Sequence, residues 1–183
     1  MEWEFQVKKI SSSDTEEAKY FCDLIERSFE KSQRRPRGVF KKLMEEEPKF
    51  VPLLLYADGE KAGVLAFWDL DTFIFAEYVA ISPEMRNQGL GSEFLSRFKG
   101  KFDKRIVFEV EPPGATPMSR SRVLFYESLG FSVIDKEYLQ PVYGTDRKHV
   151  HMWLMSDDPA LFDVSEHYAD KIKASAYNPM YVL

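Results

Sequence analysis

Three apolar runs, residues 50–56, 62–70 and Phe73–Ile81, follow one another with no helical stretch between them. All three are rich in aliphatic and aromatic side chains, as strands are. Asp58-Gly59 falls between the first two, and an Asp-Gly pair flanked by apolar strands marks a tight hairpin turn. Strands joined this closely run antiparallel, because a parallel pair needs a long crossover. A fully parallel, doubly wound sheet is therefore excluded.

The flanking segments fill in the architecture. Trp3, Phe5 and Val7 alternate with Glu4, Gln6 and Lys8, the period of a strand. Residues 11–14 offer N-caps, Glu16 and Glu17 follow, and Phe21, Leu24, Ile25 and Phe29 continue at helical spacing. A second short helix over 39–46 stops ahead of Pro48. Residues 89–102 carry Leu90, Phe94, Leu95 and Phe98 on one helical face, and a strand over 105–111 ends at Pro112-Pro113-Gly114. A helix over 119–129 closes on Gly130, strands follow over 131–139 and 149–155, and a loop lies around 141–147. Residues 156–159 cap a last helix striped by Leu161, Val164, Tyr168 and Ile172, and the apolar tail 178–183 is irregular. The expectation is a mixed α/β (α+β) fold: a partly antiparallel sheet of about seven strands flanked by helices, with an extra C-terminal helix. It forms one domain over residues 1–183, with a core over 1–155 and the helix and tail over 156–183.

Composition removes several functions. Lys plus Arg number 25 against 30 Asp plus Glu, a net charge of −5, which argues against a general nucleic-acid partner. The single cysteine, Cys22, forms no internal disulfide or cysteine zinc cluster, and its apolar surroundings mark a buried filler. The first residues lack a signal-peptide pattern and no apolar run approaches the ~20 residues of a membrane span, so a cytoplasmic protein without a membrane partner is expected.

The stretch from Glu77 to Gly91 carries the chemistry. A strand enters the loop Ser82-Pro83-Glu84-Met85-Arg86, and the loop opens a helix at Gly89-Leu90-Gly91. Glycine lets a ligand approach the backbone, and a helix start offers unpaired N–H donors with a partial positive charge. With Arg86 beside it, this is an anion site suited to a diphosphate. A P-loop is excluded because no Lys follows Gly91. A Rossmann fingerprint is excluded because its first glycine is missing and Phe94 stands at its third.

Further on, Phe125-Tyr126-Glu127 precedes Gly130-Phe131. In this order and spacing, Arg86, Gly89 and Gly91 together with Phe125, Tyr126, Glu127, Gly130 and Phe131 closely resemble the GNAT acyltransferase superfamily. The resemblance covers roughly residues 50–155. It implies acetyl-CoA as cosubstrate, with its diphosphate on the amides of Asn87, Gln88, Gly89, Leu90 and Gly91 beside Arg86. It also implies a gap between the strand ending at Ile81 and the strand over 105–111, where Val79, Ala80 and Ile81 line the pantetheine arm. The implied reaction is acetyl transfer to a primary amine of a small molecule or peptide, by direct attack in a ternary complex. The alternative is a non-catalytic acyl-CoA sensor.

Acyl transfer to an amine needs a polarised thioester, a base for the ammonium proton and a donor for the departing thiolate. Tyr126 resembles the family's donor. Carboxylates among apolar neighbours have raised proton affinity, which suits a base; the order of candidates is Glu109, Glu77, then Glu111, with a water chain as the rival. Glu77 and Ile81 share strand parity and are expected on one face. Arg34, Arg35 and Arg37 form either a solvated loop or a site for an acidic acceptor. Trp68, Tyr143 and Trp153 form either core or an aromatic acceptor pocket. His149 and His151 alternate on a strand, but no third ligand accompanies them and no metal is expected. Arg122 supports its helix or touches the cofactor. The C-terminal helix and tail pack on the domain or form a homodimer interface.

Overall fold

The computed structural model describes residues 3–143, 149–158, 160 and 164–181. Its strands are β1 (Phe5–Lys9), β2 (Phe50–Ala57), β3 (Glu60–Asp69), β4 (Phe73–Ile81), β5 (Arg105–Val110), β6 (Ser132–Asp135), β7 (Leu139–Gln140), β8 (Val150–His151) and β9 (Trp153–Ser156). The helices are α1 (Glu16–Ser28), α2 (Arg37–Glu46), α3 (Leu90–Lys99), α4 (Ser119–Ser128) and α5 (Ser165–Ser175). Seven strands make one sheet in the order β1-β2-β3-β4-β5-β9-β6, and β7 pairs with β8 apart from it. The first four pair antiparallel, β5 joins β4 in parallel, and β9 and β6 extend the sheet antiparallel. The mixed sheet with a helix beyond the core is the expected fold.

Asp58 and Gly59 both have positive φ, 50° and 79°, which fits the twist of the β2–β3 hairpin. Side chains alternate between two cores. Phe21, Leu24, Phe40 and Leu43 of α1 and α2 pack on one face of the sheet with Ile172 of α5. Phe94, Leu95 and Phe98 of α3 and Val123 of α4 pack on the other. Cys22 lies in the first core, where burial pushes its thiol up to about 11 and leaves it a packing residue.

Several expectations change. The cap of α1 is Thr15, whose Oγ1 accepts the Ala18 N–H at 3.1 Å, and not residues 11–14. The strands read over 131–139 and 149–155 are each broken in two, and β6 shifts register between Val133 and Asp135. The break turns Tyr138, Gln140 and Met152 inward. The last helix starts at Ser165, while Leu161, residues 144–147 of the loop and residues 182–183 of the tail lie outside the described residues. Tyr177 and Tyr181 are buried in the α1–α2 core, so this part of the tail packs on its own domain.

A bulge in β4 overturns the parity expectation. Ala66 pairs with Tyr78 but Phe67 pairs with Ala76, which leaves Glu77 as the extra residue. Phe75 and Tyr78 therefore face one core, and Ala76, Val79 and Ile81 the other. Glu77 shares the α1–α2 side with Tyr78, opposite Ile81. Trp68 and Tyr143 lie in that core and Trp153 in the other, so the three form no common pocket.

Candidate active site

β4 and β5 pair only from Phe73 to Ala76 against Arg105 to Phe108. Beyond that point the strands part, and a cleft of about 680 Å³ opens between them. The Ala80 carbonyl lies against Gly63 of β3. By the alternation of an antiparallel ladder, Val79 and Ile81 then turn their main-chain groups toward the gap. Gly63 is required here, because a Cβ would sit 2.5 Å from that carbonyl oxygen.

At one mouth of the cleft lies the start of α3. Asn87 and Gly89 both adopt left-handed backbone, φ 61° and 80°, which turns the chain so that Leu90, Gly91 and Ser92 face the cleft. Their N–H groups precede the first intrahelical bond, Glu93 to the Gly89 carbonyl at 3.2 Å, and so lack helical acceptors. Arg86 Nε donates to the Ile81 carbonyl at 2.9 Å, which ties the loop to the end of β4. Arg86 and Arg27 of α1 both line this mouth. Gln88 turns away, its Nε2 3.4 Å from the Glu84 carbonyl.

Tyr126 of α4 also lines the cleft, partly buried, with its ring 4.1 Å from that of Phe108. Burial raises its proton affinity, Arg122 works against the shift, and its hydroxyl has no hydrogen-bond partner among the described residues.

The deep end is polar and buried. Glu109 Oε1 accepts from Tyr138 at 2.7 Å and from Tyr177 at 2.8 Å, and its Oε2 accepts from Gln140 Nε2 at 2.7 Å. Burial pushes its carboxyl up to about 7; the three donors resist this and nearby Glu77 adds to it. Glu77 accepts from Arg35 Nε at 2.8 Å, Trp68 Nε1 at 2.7 Å and Tyr143 at 2.7 Å. Glu111 accepts from Gln33, Thr116 and Arg122 at the rim, so Arg122 supports a carboxylate. Gln140 is 3% exposed, and its Oε1 is the one buried side-chain oxygen without a donor among the described residues.

Arg35 departs from both readings of the basic loop. It is 0% exposed, donates to the carbonyls of Ala176 and Tyr181, and stacks over Trp68, Tyr143 and Tyr177. Burial opposes its charge, but Glu77 and the tyrosine hydroxyls raise the guanidinium above its ordinary value. Arg37 pairs with Asp23 and Glu26, and Arg34 Nε donates to the Phe29 carbonyl. His151 Nε2 contacts the Lys136 carbonyl at 2.6 Å, and among the described residues no three metal-ligating side chains converge.

Residues 48–133 match the family model "Acetyltransferase (GNAT) domain". The match places residues 48–133 in the GNAT superfamily. A candidate acetyltransferase of the GNAT family from Bacteroides thetaiotaomicron superposes with a TM-score of 0.87 at 26% identity, over 94% of this chain and 98% of that one. A GNAT acetyltransferase from Elizabethkingia anophelis with acetyl-CoA bound has the same fold, with a TM-score of 0.56 at 16% identity over 83% and 96% of the two chains. YjbC, a candidate acetyltransferase of Bacillus subtilis (strain 168), is 35% identical over 75 residues, 40% of this chain. That match spans 38% of the length of YjbC. The sequence pointed to Arg86, Gly89, Gly91, Tyr126 and Glu109, which all line one cleft. It did not point to Arg27, Gln33, Tyr138, Gln140 or Tyr177. The only trace of Tyr177 was a phenol beside an apolar tail.

Proposed function

We propose that this chain transfers an acetyl group from acetyl-CoA to a primary amine by direct attack. The observation that carries this reading is the parting of β4 from β5 in front of the free amides that start α3. Acetyl-CoA supplies the acetyl group as a thioester. The residues present fit it: the amides of Leu90, Gly91 and Ser92, with Arg86 and Arg27, suit a diphosphate. The gap-side main chain of Val79 and Ile81 offers hydrogen bonds to an amide-bearing arm, and an N–H there polarises a carbonyl.

Glu109 is the base. An ordinary carboxyl is a poor acceptor for an ammonium proton, and one with its pKa near 7 is far better matched to neutral pH. Glu77 is less suited, because Arg35, Trp68 and Tyr143 already occupy its oxygens. Tyr126 holds the proton that goes to the departing sulfur, since its hydroxyl is free in the cleft. Gln140 Oε1, without a donor, receives an N–H of the amine.

The test is thiol release on mixing the protein with acetyl-CoA and a panel of primary amines. Release that requires both an amine and Glu109 is expected. Tight CoA binding with no release from any amine would replace this reading by the acyl-CoA sensor.

A further inference from the structure

Three oxygen–oxygen contacts in a row join the two carboxylates. Glu109 meets Tyr177 at 2.8 Å, Tyr177 meets Tyr143 at 2.9 Å, and Tyr143 meets Glu77 at 2.7 Å. A contact of this length holds one hydrogen between its oxygens. The two phenols bring two hydrogens to three contacts. With both carboxylates ionised, one contact in the line is therefore a pair of bare oxygens. The other donors leave this count unchanged. Gln140 Nε2 directs its hydrogens to Glu109 and Tyr177, Tyr138 donates to Glu109, and Trp68 and Arg35 donate to Glu77. Tyr78, which accepts the Arg35 main-chain N–H and lies beside Tyr143, brings a hydrogen of its own.

A third proton completes the line. Glu109 then donates to Tyr177, Tyr177 to Tyr143, and Tyr143 to Glu77. We propose that this line is built to take up the one proton that Glu109 removes from the acceptor amine, through a turn of the Tyr177 hydroxyl from Glu109 to Tyr143. The inference rests on Glu109 being the base. The amine N–H bond breaks and its electron pair stays on nitrogen. An O–H bond forms on Glu109, and each phenol keeps its own proton throughout, changing only direction. The added proton stays at the Glu109 end, because Arg35 pairs with Glu77 at 2.8 Å and already donates to its Oε1. It leaves from Glu109 through the cleft once the product departs.

Tyr177 and Tyr143 are thus positioning residues with opposite effects. Tyr177 donates to the ionised carboxylate, and a hydrogen bond to a charged acceptor is the stronger kind. Tyr143 serves Glu109 only when the carboxyl is protonated, as the acceptor for the turned Tyr177 hydroxyl. Glu109 faces Tyr138, Gln140, Tyr177 and Glu77, with Arg35 behind Glu77 and Lys173 over the Tyr138 ring at 5.3 Å.

The experiment titrates Glu109 in the full chain without cosubstrate, by carbon NMR of carboxyl-labelled glutamate, in the wild type, Tyr177→Phe and Tyr143→Phe. The Tyr177→Phe midpoint should move up by about one pH unit and the Tyr143→Phe midpoint should move down, with the acid limb of kcat/KM following each by up to about tenfold. Shifts of the same sign, or no shift in Tyr143→Phe, would overturn the proposal. Both variants keep their rings, and should Tyr177→Phe fail to fold, the sign for Tyr143→Phe decides alone. Glu109→Gln separates the two readings. Unchanged turnover and pH profile in that variant would remove the base itself, whereas a lost acid limb with unmoved midpoints in the tyrosine variants removes only the proton line.

Discussion

Glu109 shows how one residue couples stability to chemistry. Its folded pKa of about 7 lies above the ordinary carboxyl value of about 4.5. Between those values the native state holds more protons than the unfolded chain, so the contribution of Glu109 is fully present below about pH 4.5 and is lost as pH rises through 7. The loss is on the order of 3 kcal/mol. Urea unfolding at pH 5 and pH 8 should show a smaller drop in Glu109→Gln than in the wild type, and an equal drop would contradict the shift. Tyr126 belongs to the same scale. Its hydroxyl makes no hydrogen bond among the described residues, so Tyr126→Phe should leave the melting temperature and CoA affinity nearly unchanged while kcat falls by about 10²-fold or more. Steady-state kinetics beside calorimetry would check the split. Both residues were legible in the sequence, one as an acid among apolar strand residues and the other as part of a spaced motif. Gln140 and Tyr177 were not, because they stand 31 and 68 positions from the carboxylate they hold.

Among the elements, β4 does most to shape the cleft. Its edge toward β5 is released after Ala76, and its bulge at Glu77 sends that carboxylate to the face opposite Ile81. The strand itself was readable from its apolar run, but the bulge was not, since no residue at Glu77 announces an extra position in the ladder. Gly63 of β3 is a close approach to the Ala80 carbonyl. Gly63→Ala should cost about 1–3 kcal/mol in urea unfolding. It should also weaken CoA binding, because the Ala80 main chain must shift to admit the methyl. At the start of α3, Arg86 joins the loop to Ile81. Arg86→Ala should lower CoA affinity in calorimetry by roughly tenfold, with a smaller change in kcat, because the charge is placed for binding rather than at the reacting atoms.

For the whole molecule, Arg35 is the point where distant segments meet. It links the turn after α1 to Glu77 on β4 and to the carbonyls of Ala176 and Tyr181 near the C-terminus. Removing it leaves Glu77 buried without its cation, which costs about 3–5 kcal/mol. Arg35→Met should accordingly lower the urea midpoint and speed hydrogen exchange in residues 176–181, and protection equal to the wild type there would refute this role. The sequence by itself determined most strands and helices, the antiparallel start of the sheet and the glycine-bearing loop that opens α3. Those features follow from local periodicity, turn chemistry and short spacings that neighbouring residues carry. The tertiary structure alone decided that Arg35 is interior, that residues 176–181 pack against it with Tyr177 bonded to Glu109, and that four tyrosines gather around two carboxylates. Such placements depend on which far-apart residues share a dry interior, where an ion or hydroxyl must find a partner, and a linear pattern does not encode who that partner is.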